Sequence, residues 1–206
     1  MPRPRFDKLD PERRREVLEA AAREFAAHGY HEASLNRVQA ELGLSKGGFY
    51  YWFDDKEDLF LATLVDRAAP FDALVAGFLT EVADAAAFWA RVEELVRTGM
   101  AVVGEDPVAL GLFQAAMALS PQSSPRLAAW WAEGLQATRA VLEAGQAAGA
   151  VRTDLDLDLL ASVVFSMGEA LDRWLVGRGA EAVQTEAQAE ATVALYVGLL
   201  RRVSAP

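Results

Sequence analysis

Residues 33–60 of the chain are ASLNRVQAELGLSKGGFYYWFDDKEDLF, and this stretch decides the fold. After Ser34, a favourable residue for capping a helix, apolar residues recur at helical spacing: Leu35, Val38 and Leu42. Gly43 interrupts this segment, and Ser45 is placed to cap a second short helix. Two short helices joined by a glycine-containing turn indicate a helix-turn-helix.

Five consecutive aromatic residues follow, namely Phe49, Tyr50, Tyr51, Trp52 and Phe53. No single face of a helix or strand can bury five consecutive side chains. On a helix over residues 45–53, Phe49 and Phe53 share a face and are predicted to pack in the core. Tyr50 and Tyr51 are predicted to point away from that core, with Trp52 partly buried. An exposed tyrosine offers a flat ring and a hydroxyl, which suit packing along a sugar–phosphate backbone.

Gly47 and Gly48 are predicted to lie in the first turn of this helix, where main-chain N–H groups are free and the helix dipole is positive. Without side chains at these positions, a DNA duplex can approach the main chain closely. The alternative interpretation is that the aromatic run forms only a compact local core.

Helical signals dominate the rest of the chain and strand signals are nearly absent, so we predict an all-α protein. The first helix begins after Asp10, with Pro11 at its first position, and ends at Gly29. A longer helix begins near Lys56, and Pro70 is predicted to kink or split it. Further helices are predicted at about 85–104, 107–119, 125–147, 155–177 and 184–203.

The cysteine content and the distribution of charge exclude some classes of protein function. The chain has 206 residues, no cysteine and a net charge of −10. Residues 1–53 contain nine Lys or Arg and eight Asp or Glu, whereas residues 54–206 contain eleven and twenty-two, which predicts two parts with different partners. The absence of cysteine excludes disulfide and thiolate chemistry. No secretory signal or membrane-spanning run is recognised, so a soluble cytoplasmic protein is expected.

Signals for catalysis or metal binding are weak. The chain has neither a P-loop nor a GxSxG motif, so we predict no enzyme activity and no cofactor. His28 and His31 are the only histidines and lie three residues apart around a helix-ending glycine, and a metal shared between them is not favoured. DLDLD at 154–158 imitates the start of a calcium loop but lacks the Gly at position 6 and the Glu at position 12, where Phe165 stands. A helix start in which acidic residues complement the dipole explains it better.

Basic residues near the N-terminus allow two interpretations. Arg3 and Arg5 form either an arm in the DNA minor groove or a disordered tail, and the tail is favoured. The run Arg13, Arg14 and Arg15 forms either a DNA contact or a solvated helix face, and the solvated face is favoured.

Residues 13–60 resemble the DNA-binding domain of the TetR family of bacterial transcriptional regulators. The resemblance rests on EVLEAAAREFAAHGY and on the stretch quoted above. The family pattern has a turn of the form G-V-S-x-G, a recognition helix of the form L-Y-x-Y/H-F and a final K-E-x-L, and the corresponding segments here are GLSKG at 43–47, FYYWF at 49–53 and KEDL at 56–59. Two positions depart from the family pattern. Gln39 stands in place of a small residue, and Gly48 stands where Ser, Thr or Val is common, which removes a side chain that could touch a base.

The resemblance implies a three-helix DNA-binding domain at 1–55, followed by a helical effector-binding and dimerisation domain at 56–206. It implies that nine residues meet double-stranded DNA. These are Asn36 and Arg37 on the second helix, Ser45, Lys46, Gly47 and Gly48 in the major groove, and Tyr50, Tyr51 and Lys56 at phosphates.

The resemblance further implies a repressor that binds a palindromic operator as a homodimer and is released by a small, largely apolar ligand. The last two helices are expected to form the dimer, because small residues on their apolar faces allow close approach: Ala161, Gly168, Ala187, Ala191, Ala194 and Gly198. The alternative is a helix-turn-helix protein without a small-molecule effector, acting as an activator or under the control of a protein partner.

An effector cavity is expected in the C-terminal domain. Its candidate lining residues are Trp89, Arg97, Met100, Phe113, Gln114, Met117, Trp130, Phe165 and Glu169, with Phe71, Phe78 and Trp131 as further apolar candidates. For each apolar residue taken singly, ordinary core packing is the competing interpretation.

Overall fold

The structure is a computed structural model that describes residues 2–78, 82–120, 123–177 and 185–206. For residues 46, 70–72, 74, 78, 102–105 and 176 only the main chain is described. Within these ranges the fold is all-α, as predicted, and contains no strand. The helices of the described ranges are α1 Pro11–Glu32, α2 Leu35–Glu41, α3 Lys46–Phe49, α4 Lys56–Phe78, α5 Ala85–Glu105, α6 Pro107–Met117, α7 Pro125–Ala147, α8 Leu157–Gly177 and α9 Glu186–Ser204.

Three helices begin with a capping residue followed by a proline at the first helical position: Asp10–Pro11, Asp106–Pro107 and Ser124–Pro125. Each cap accepts hydrogen bonds of 2.8 to 3.4 Å from main-chain N–H groups of the first turn. A proline at this position loses no helical hydrogen bond. The predicted starts of α1, α6 and α7 are confirmed.

Regular helical geometry in α1 stops at Gly29, as predicted. Its φ of +67° lies in the left-handed region that favours glycine. The main chain resumes a helical turn that continues to Glu32, and the N–H of Ala33 donates to the carbonyl of Gly29 at 3.2 Å.

Pro70 was predicted to kink or split α4, and the split is wrong because α4 runs continuously from Lys56 to Phe78. The kink stays a prediction. A proline inside a helix removes one main-chain donor. Ala68 and Ala69 precede it, and alanine is the residue that favours helix most strongly, so the helix continues through the defect.

The chain divides into two compact units. One comprises the residues up to Ala69 together with Asp106–Ser120, and the other comprises Pro70–Glu105 together with the chain from Pro121 onward. The helix α6 therefore belongs to the same unit as the helix-turn-helix. The functional boundary between residues 55 and 56 stays a prediction.

The first unit is organised around the aromatic end of α1. The ring of Phe25 meets Phe60 of α4 edge-on, with centroids 4.9 Å apart, and Tyr30 lies 5.0 Å from the same Phe60 ring. Phe25 and Phe60 are both fully buried. This cluster joins α4 to α1 and so fixes where the polypeptide leaves the helix-turn-helix.

A single arginine of α4 connects three helices of the first unit. The guanidinium of Arg67 lies 2.8 Å from the carboxylate of Glu19 in α1 and 3.1 Å from that of Asp106, which caps α6. Because Arg67 is largely shielded from water, these ion pairs are screened less than exposed pairs.

The second unit has two buried apolar clusters. One consists of Phe88, Val92, Leu142, Ala150, Val151, Leu160, Ala161 and Val164. The other consists of Met100, Leu175, Val193, Tyr196 and Val197. Within the described part of the chain, none of the helices has both the length and the apolar character needed to cross a membrane.

Candidate nucleic-acid interface

The helix-turn-helix forms as predicted, with one correction at its caps. Gly43 adopts a φ of +64° in the turn, and the N–H of Leu44 donates to the carbonyl of Gln39 at 2.8 Å. Ser34 and Ser45 occupy the N-cap positions, but neither hydroxyl caps its helix. The carboxylate of Glu24 instead accepts a hydrogen bond of 2.7 Å from the N–H of Ser34, so α1 supports the start of α2.

The third helix is shorter than the predicted 45–53. It ends at Phe49 and continues as a turn in which the N–H groups of Trp52 and Phe53 both donate to the carbonyl of Phe49, at 2.9 and 3.1 Å. These bonds keep a helix-like rotation between successive residues, which is why the predicted facing of the side chains survives the shorter helix.

The aromatic run divides as predicted into buried and exposed rings. Phe49 and Phe53 are 1% and 0% exposed and lie with ring centroids 5.2 Å apart. Tyr50 and Tyr51 are 52% and 51% exposed. Trp52, predicted to be partly buried, is more deeply buried at 8% exposure. Two large rings thus lie on the surface directly beside the turn of the helix-turn-helix.

The two glycines of α3 are not required by the protein's own packing. A Cβ on Gly47 would meet no atom within 4 Å, and a Cβ on Gly48 would make ordinary contacts of 3.6 to 3.7 Å with Leu44 and Ser45. Neither glycine has a positive φ. The N–H of Gly48 is engaged by the carbonyl of Ser45 at 2.9 Å. No packing contact among the described residues therefore requires a glycine at position 47.

Two predicted DNA contacts make internal bonds. The guanidinium of Arg37 is bound to Glu24, with Nε–Oε1 at 2.9 Å, and donates to the carbonyl of Glu32 at 2.9 Å. The ammonium of Lys56 donates to the carbonyls of His31 at 2.9 Å and Ala33 at 3.2 Å. Their contact with DNA stays a prediction. Asn36 is exposed.

The ion pair with Arg37 keeps the carboxyl of Glu24 ionised although it is shielded from water. Burial acts to raise the pKa of the Glu24 carboxyl, but hydrogen bonds from Arg37 and from the main chain of Ser34 lower that pKa overall. Glu24 is therefore a carboxylate at neutral pH, and it orients Arg37 at the edge of the helix-turn-helix.

At the start of α4, Asp55 and Asp58 are joined by a side-chain to main-chain hydrogen bond. The carboxylate of Asp55 accepts from the N–H of Asp58 at 2.9 Å, and the carboxylate of Asp58 accepts from the N–H of Asp54 at 3.0 Å. This arrangement resembles a capping box, with the reciprocal bond displaced by one residue.

The favoured interpretation of Arg3 and Arg5 as part of a disordered tail is wrong. The N–H of Arg3 donates to the carbonyl of Trp52 at 2.7 Å, and Nε of Arg3 lies 2.9 Å from the carboxylate of Asp54. Phe6 is buried, with its ring centroid 4.7 Å from that of Phe53. A lone aromatic among charged residues and prolines was the only signal for this contact, and it carries no periodicity.

Ion pairs involve five of the nine basic residues at 1–53. The pairs are Arg3–Asp54, Arg13–Glu16, Arg15–Glu12, Arg23 with Glu19 and Glu41, and Arg37–Glu24. Arg13 also donates to the carbonyl of Leu42 at 2.9 Å, so it supports the turn rather than a purely solvated face. Among the described side chains of this stretch, Arg5, Lys8 and Arg14 form no ion pair. The side chain of Lys46 lies outside the description.

The candidate effector residues fall into both compact units. Phe113, Gln114 and Met117 belong to α6 in the first unit, and the second unit contains Trp89, Arg97, Met100, Trp130, Phe165 and Glu169. Arg97 is exposed and pairs with Glu93 and Glu190 at 3.0 and 3.1 Å. Met100 is buried in the second cluster of its unit. A shared pocket stays a prediction, and the side chains of Phe71 and Phe78 lie outside the description.

The second unit contains a buried polar group without a partner, the indole N–H of Trp131. Among the described residues, Nε1 of Trp131 is buried and has no hydrogen-bond partner. The Trp131 ring lies edge-on to Trp130 and Phe165, with centroids 5.1 and 6.0 Å away. Buried donors are nearly always paired, so this indole N–H calls for an acceptor from outside the described chain.

The sequences that imitate metal sites have structural roles. The carboxylate of Asp156 accepts from the N–H of Leu159 at 2.9 Å at the start of α8, Asp154 pairs with Arg152, and Asp158 pairs with Arg139. The described residues contain no group of three or more His, Asp or Glu side chains that could hold a metal ion.

Residues 17–63 match the family model described as "Bacterial regulatory proteins, tetR family". Over 64 residues, the chain is 45% identical to the HTH-type transcriptional repressor AcnR of Corynebacterium diphtheriae, which is 31% of this chain and 34% of that protein. The match therefore spans about a third of that relative's length.

Other matches cover most of the chain. The HTH-type transcriptional repressor KstR2 of Rhodococcus jostii is 25% identical over 193 residues, which is 89% of each protein. The crystal structure of the transcriptional regulator FadR from Bacillus subtilis, in complex with stearoyl-CoA, has a TM-score of 0.72 at 18% identity and covers 90% of this chain and 96% of that one. The structural likeness shows that the whole fold is shared.

Proposed function

We propose, from the premise that this chain belongs to the TetR family of bacterial regulatory proteins, that it is a sequence-specific transcriptional repressor. It binds a palindromic operator as a homodimer, and a small, largely apolar ligand releases it. The observation that carries this proposal is the surface made of Gly47, Tyr50 and Tyr51, because packing among the described residues neither buries the two rings nor covers the main chain at Gly47.

DNA supplies the missing explanation for that surface. A duplex can approach Gly47 closely because no side chain stands there, and the exposed tyrosine hydroxyls can bind phosphate oxygens on either side of the groove. Asn36 is exposed on α2 and can reach base edges. The full set of proposed contacts is Asn36, Arg37, Ser45, Lys46, Gly47, Gly48, Tyr50, Tyr51 and Lys56.

A second copy of the chain explains the apolar surface of the last two helices. On α8, Leu159 and Val163 are exposed one helical turn apart, and Trp174 is exposed further along the same helix. On α9, Ala187, Ala191, Ala194 and Leu195 are exposed at helical spacing. Exposed apolar stripes of this kind mark helix-pairing surfaces.

The small residues predicted for the dimer differ in their placement. No atom lies within 4 Å of a Cβ built on Gly168 or Gly198, which leaves room for a partner helix. Ala161 is buried in a cluster of its own unit, so it is excluded from the proposed interface.

An effector with an apolar part is supported by two observations. The unpartnered indole of Trp131 lies among aromatic rings, where a ligand acceptor group would satisfy it and a ligand chain would pack. A protein of the same fold has been seen with stearoyl-CoA, a molecule with a long acyl chain. Ligand binding can release DNA only if the ligand has different affinities for the bound and free conformers.

Selection of bound duplexes from a random pool, with purified full-length protein at a fixed salt concentration, tests the proposal. Enrichment of a palindrome is the expected result, and the selected duplex then serves as a probe for small molecules that release the protein. A folded helical dimer that enriches no sequence, both as purified and after refolding without ligand, contradicts the proposal. Specific binding that no apolar molecule weakens supports the alternative without an effector.

A further inference from the structure

We infer that the N-terminal segment, residues 2–10, is part of the DNA-binding surface and that Arg5, stacked on Tyr51, binds a phosphate of the duplex. This inference rests on the proposed DNA-binding function. It adds a contact from outside the helix-turn-helix to a surface otherwise assigned to residues 36–56.

The segment is anchored on both sides of Arg5. On one side, the N–H of Arg3 donates to the carbonyl of Trp52 at 2.7 Å, and the Arg3 side chain pairs with Asp54. On the other side, Phe6 is 3% exposed and packs against the rings of Phe53 and Trp52, with centroids 4.7 and 6.3 Å away. The main chain at Arg5 is thereby fixed beside Trp52 and Phe53, at the end of the turn that follows α3.

Arg5 is stacked on one of the two exposed tyrosines. Its guanidinium carbon lies 4.3 Å from the centroid of the Tyr51 ring, and both side chains are exposed. Stacking occupies one face of the guanidinium and leaves its N–H edge free, and that edge matches the oxygens of a phosphate in two-point hydrogen bonding. The stack also limits the rotamers of Arg5, so less conformational freedom is lost when a phosphate binds.

The charge of Arg5 is available to an anion. Five other basic residues of the same stretch are neutralised by ion pairs within the protein, whereas Arg5 has no ion pair with a described residue. The carboxylate of Asp54 is paired with Arg3 of the same N-terminal segment, which offsets a negative charge that would repel DNA. Arg5 and the Tyr51 hydroxyl therefore present a cation and a donor at the same place.

Arg5→Gln in the full-length protein tests the assignment. Affinity for the selected duplex is expected to fall about tenfold, which corresponds to about 1.4 kcal/mol, because the variant loses one charged hydrogen-bonded contact. Affinity for an unrelated duplex is expected to fall by a similar factor, because a phosphate contact carries no sequence information. The slope of log K against log salt concentration should become shallower by about 0.9 per lost contact. The melting temperature without DNA should not change.

Two further variants separate the stacked contact from general electrostatics. Lys8→Gln removes the same charge from the same segment, but the structure gives Lys8 no stacking partner, so its loss of affinity should be clearly smaller. Arg5→Lys keeps the charge but not the planar group, and its affinity should lie between those of the wild type and Arg5→Gln.

The inference is overturned by any of three results. Arg5→Gln could bind both duplexes as the wild type does, Lys8→Gln could lose as much affinity as Arg5→Gln, or Arg5→Gln could lose affinity with an unchanged salt slope and a lower melting temperature. In each case the wild type still binds DNA, so the proposed function stands. If the wild type binds no duplex, the proposed function and this inference fail together.

Discussion

Gly111 of α6 lies directly against Ala26 of α1. A Cβ added to Gly111 would be 2.8 Å from the Cβ of Ala26 and 2.9 Å from its carbonyl oxygen, both closer than real contacts of a Cβ. The two helices therefore meet with no side chain between them at this point. Glycine in the middle of α6 is the condition for α6 to join the unit of the helix-turn-helix.

Gly111→Ala is expected to destabilise the protein. Overpacking costs about 1–3 kcal/mol, and the gain in helix propensity returns less than about 1 kcal/mol. For a chain of this size, each kcal/mol lowers the melting temperature by about 2–4 °C at constant protein concentration. Gly77→Ala is the matched control, because a Cβ there meets nothing within 4 Å. Equal melting temperatures for the two variants would show that α1 and α6 can separate without cost.

Gly47→Ala should weaken DNA binding without weakening the fold. The added methyl group has free space within the protein and lies on the surface proposed to meet the duplex. We expect an unchanged or higher melting temperature and a several-fold loss of affinity for the selected duplex. Gly77→Ala is the comparison, because its methyl group also meets nothing within 4 Å but lies outside the proposed contacts, and it should bind normally. Normal binding by Gly47→Ala would contradict the close approach of DNA.

Val163→Glu should convert the proposed dimer to a monomer. The residue is exposed in the single chain, and a two-fold interface would bury the new charge twice. Light scattering at micromolar concentration should give half the mass of the wild type. Ala137→Glu places the same charge on the exposed surface of α7 and should leave the mass unchanged. An unchanged mass for Val163→Glu would exclude this face of α8 from the interface.

Asp172 should make stability depend on pH. Burial raises the pKa of its carboxyl, although the hydrogen bond of 2.9 Å from the Tyr196 hydroxyl opposes the rise. A folded-state pKa above the unfolded-state value means that the folded protein binds more protons in that window. The free energy of unfolding therefore falls as the pH increases from the ordinary carboxyl range through the raised pKa.

Asp172→Asn removes this ionisable carboxyl and keeps a side-chain oxygen that can accept the hydrogen bond from the Tyr196 hydroxyl. At neutral pH the variant should melt a few degrees higher than the wild type, since a desolvated charge is gone. Urea unfolding at several pH values should show a smaller decrease in stability with pH for the variant. Asp66→Asn removes the same charge from an exposed position of α4 and should follow the wild type. A variant less stable than the wild type at neutral pH would argue that the charge itself is needed.

Local chemistry predicts the helices of this fold well. Asp106–Pro107 and Ser124–Pro125 mark helix starts because the cap and the proline act within one turn. The burial of Phe49 and Phe53 also follows from helical periodicity, and it survives although α3 ends at Phe49.

Contacts between residues that lie far apart in the chain could not be predicted from the sequence. The hydroxyl of Ser34 does not cap α2, whereas the carboxylate of Glu24, ten residues earlier, accepts the N–H of Ser34 and also binds Arg37. Phe6 fills a place beside Phe53 that no pattern in its own segment indicates. Gly111 was the one available signal for the packing of α6, because a glycine inside a helix often marks a close neighbour.

The membership of α6 in the first unit limits how the proposed DNA-binding unit can be combined with parts of other proteins. Cutting the chain after residue 55 would separate the helix-turn-helix from Phe60, Arg67 and the α6 surface at Gly111, which complete its core. A hybrid with another effector part would need three junctions, near residues 69, 106 and 120, and would have to keep residues 2–6 at its beginning. The unit that contains the proposed DNA-binding surface is therefore not one contiguous stretch of the chain, and a single splice could not transfer it.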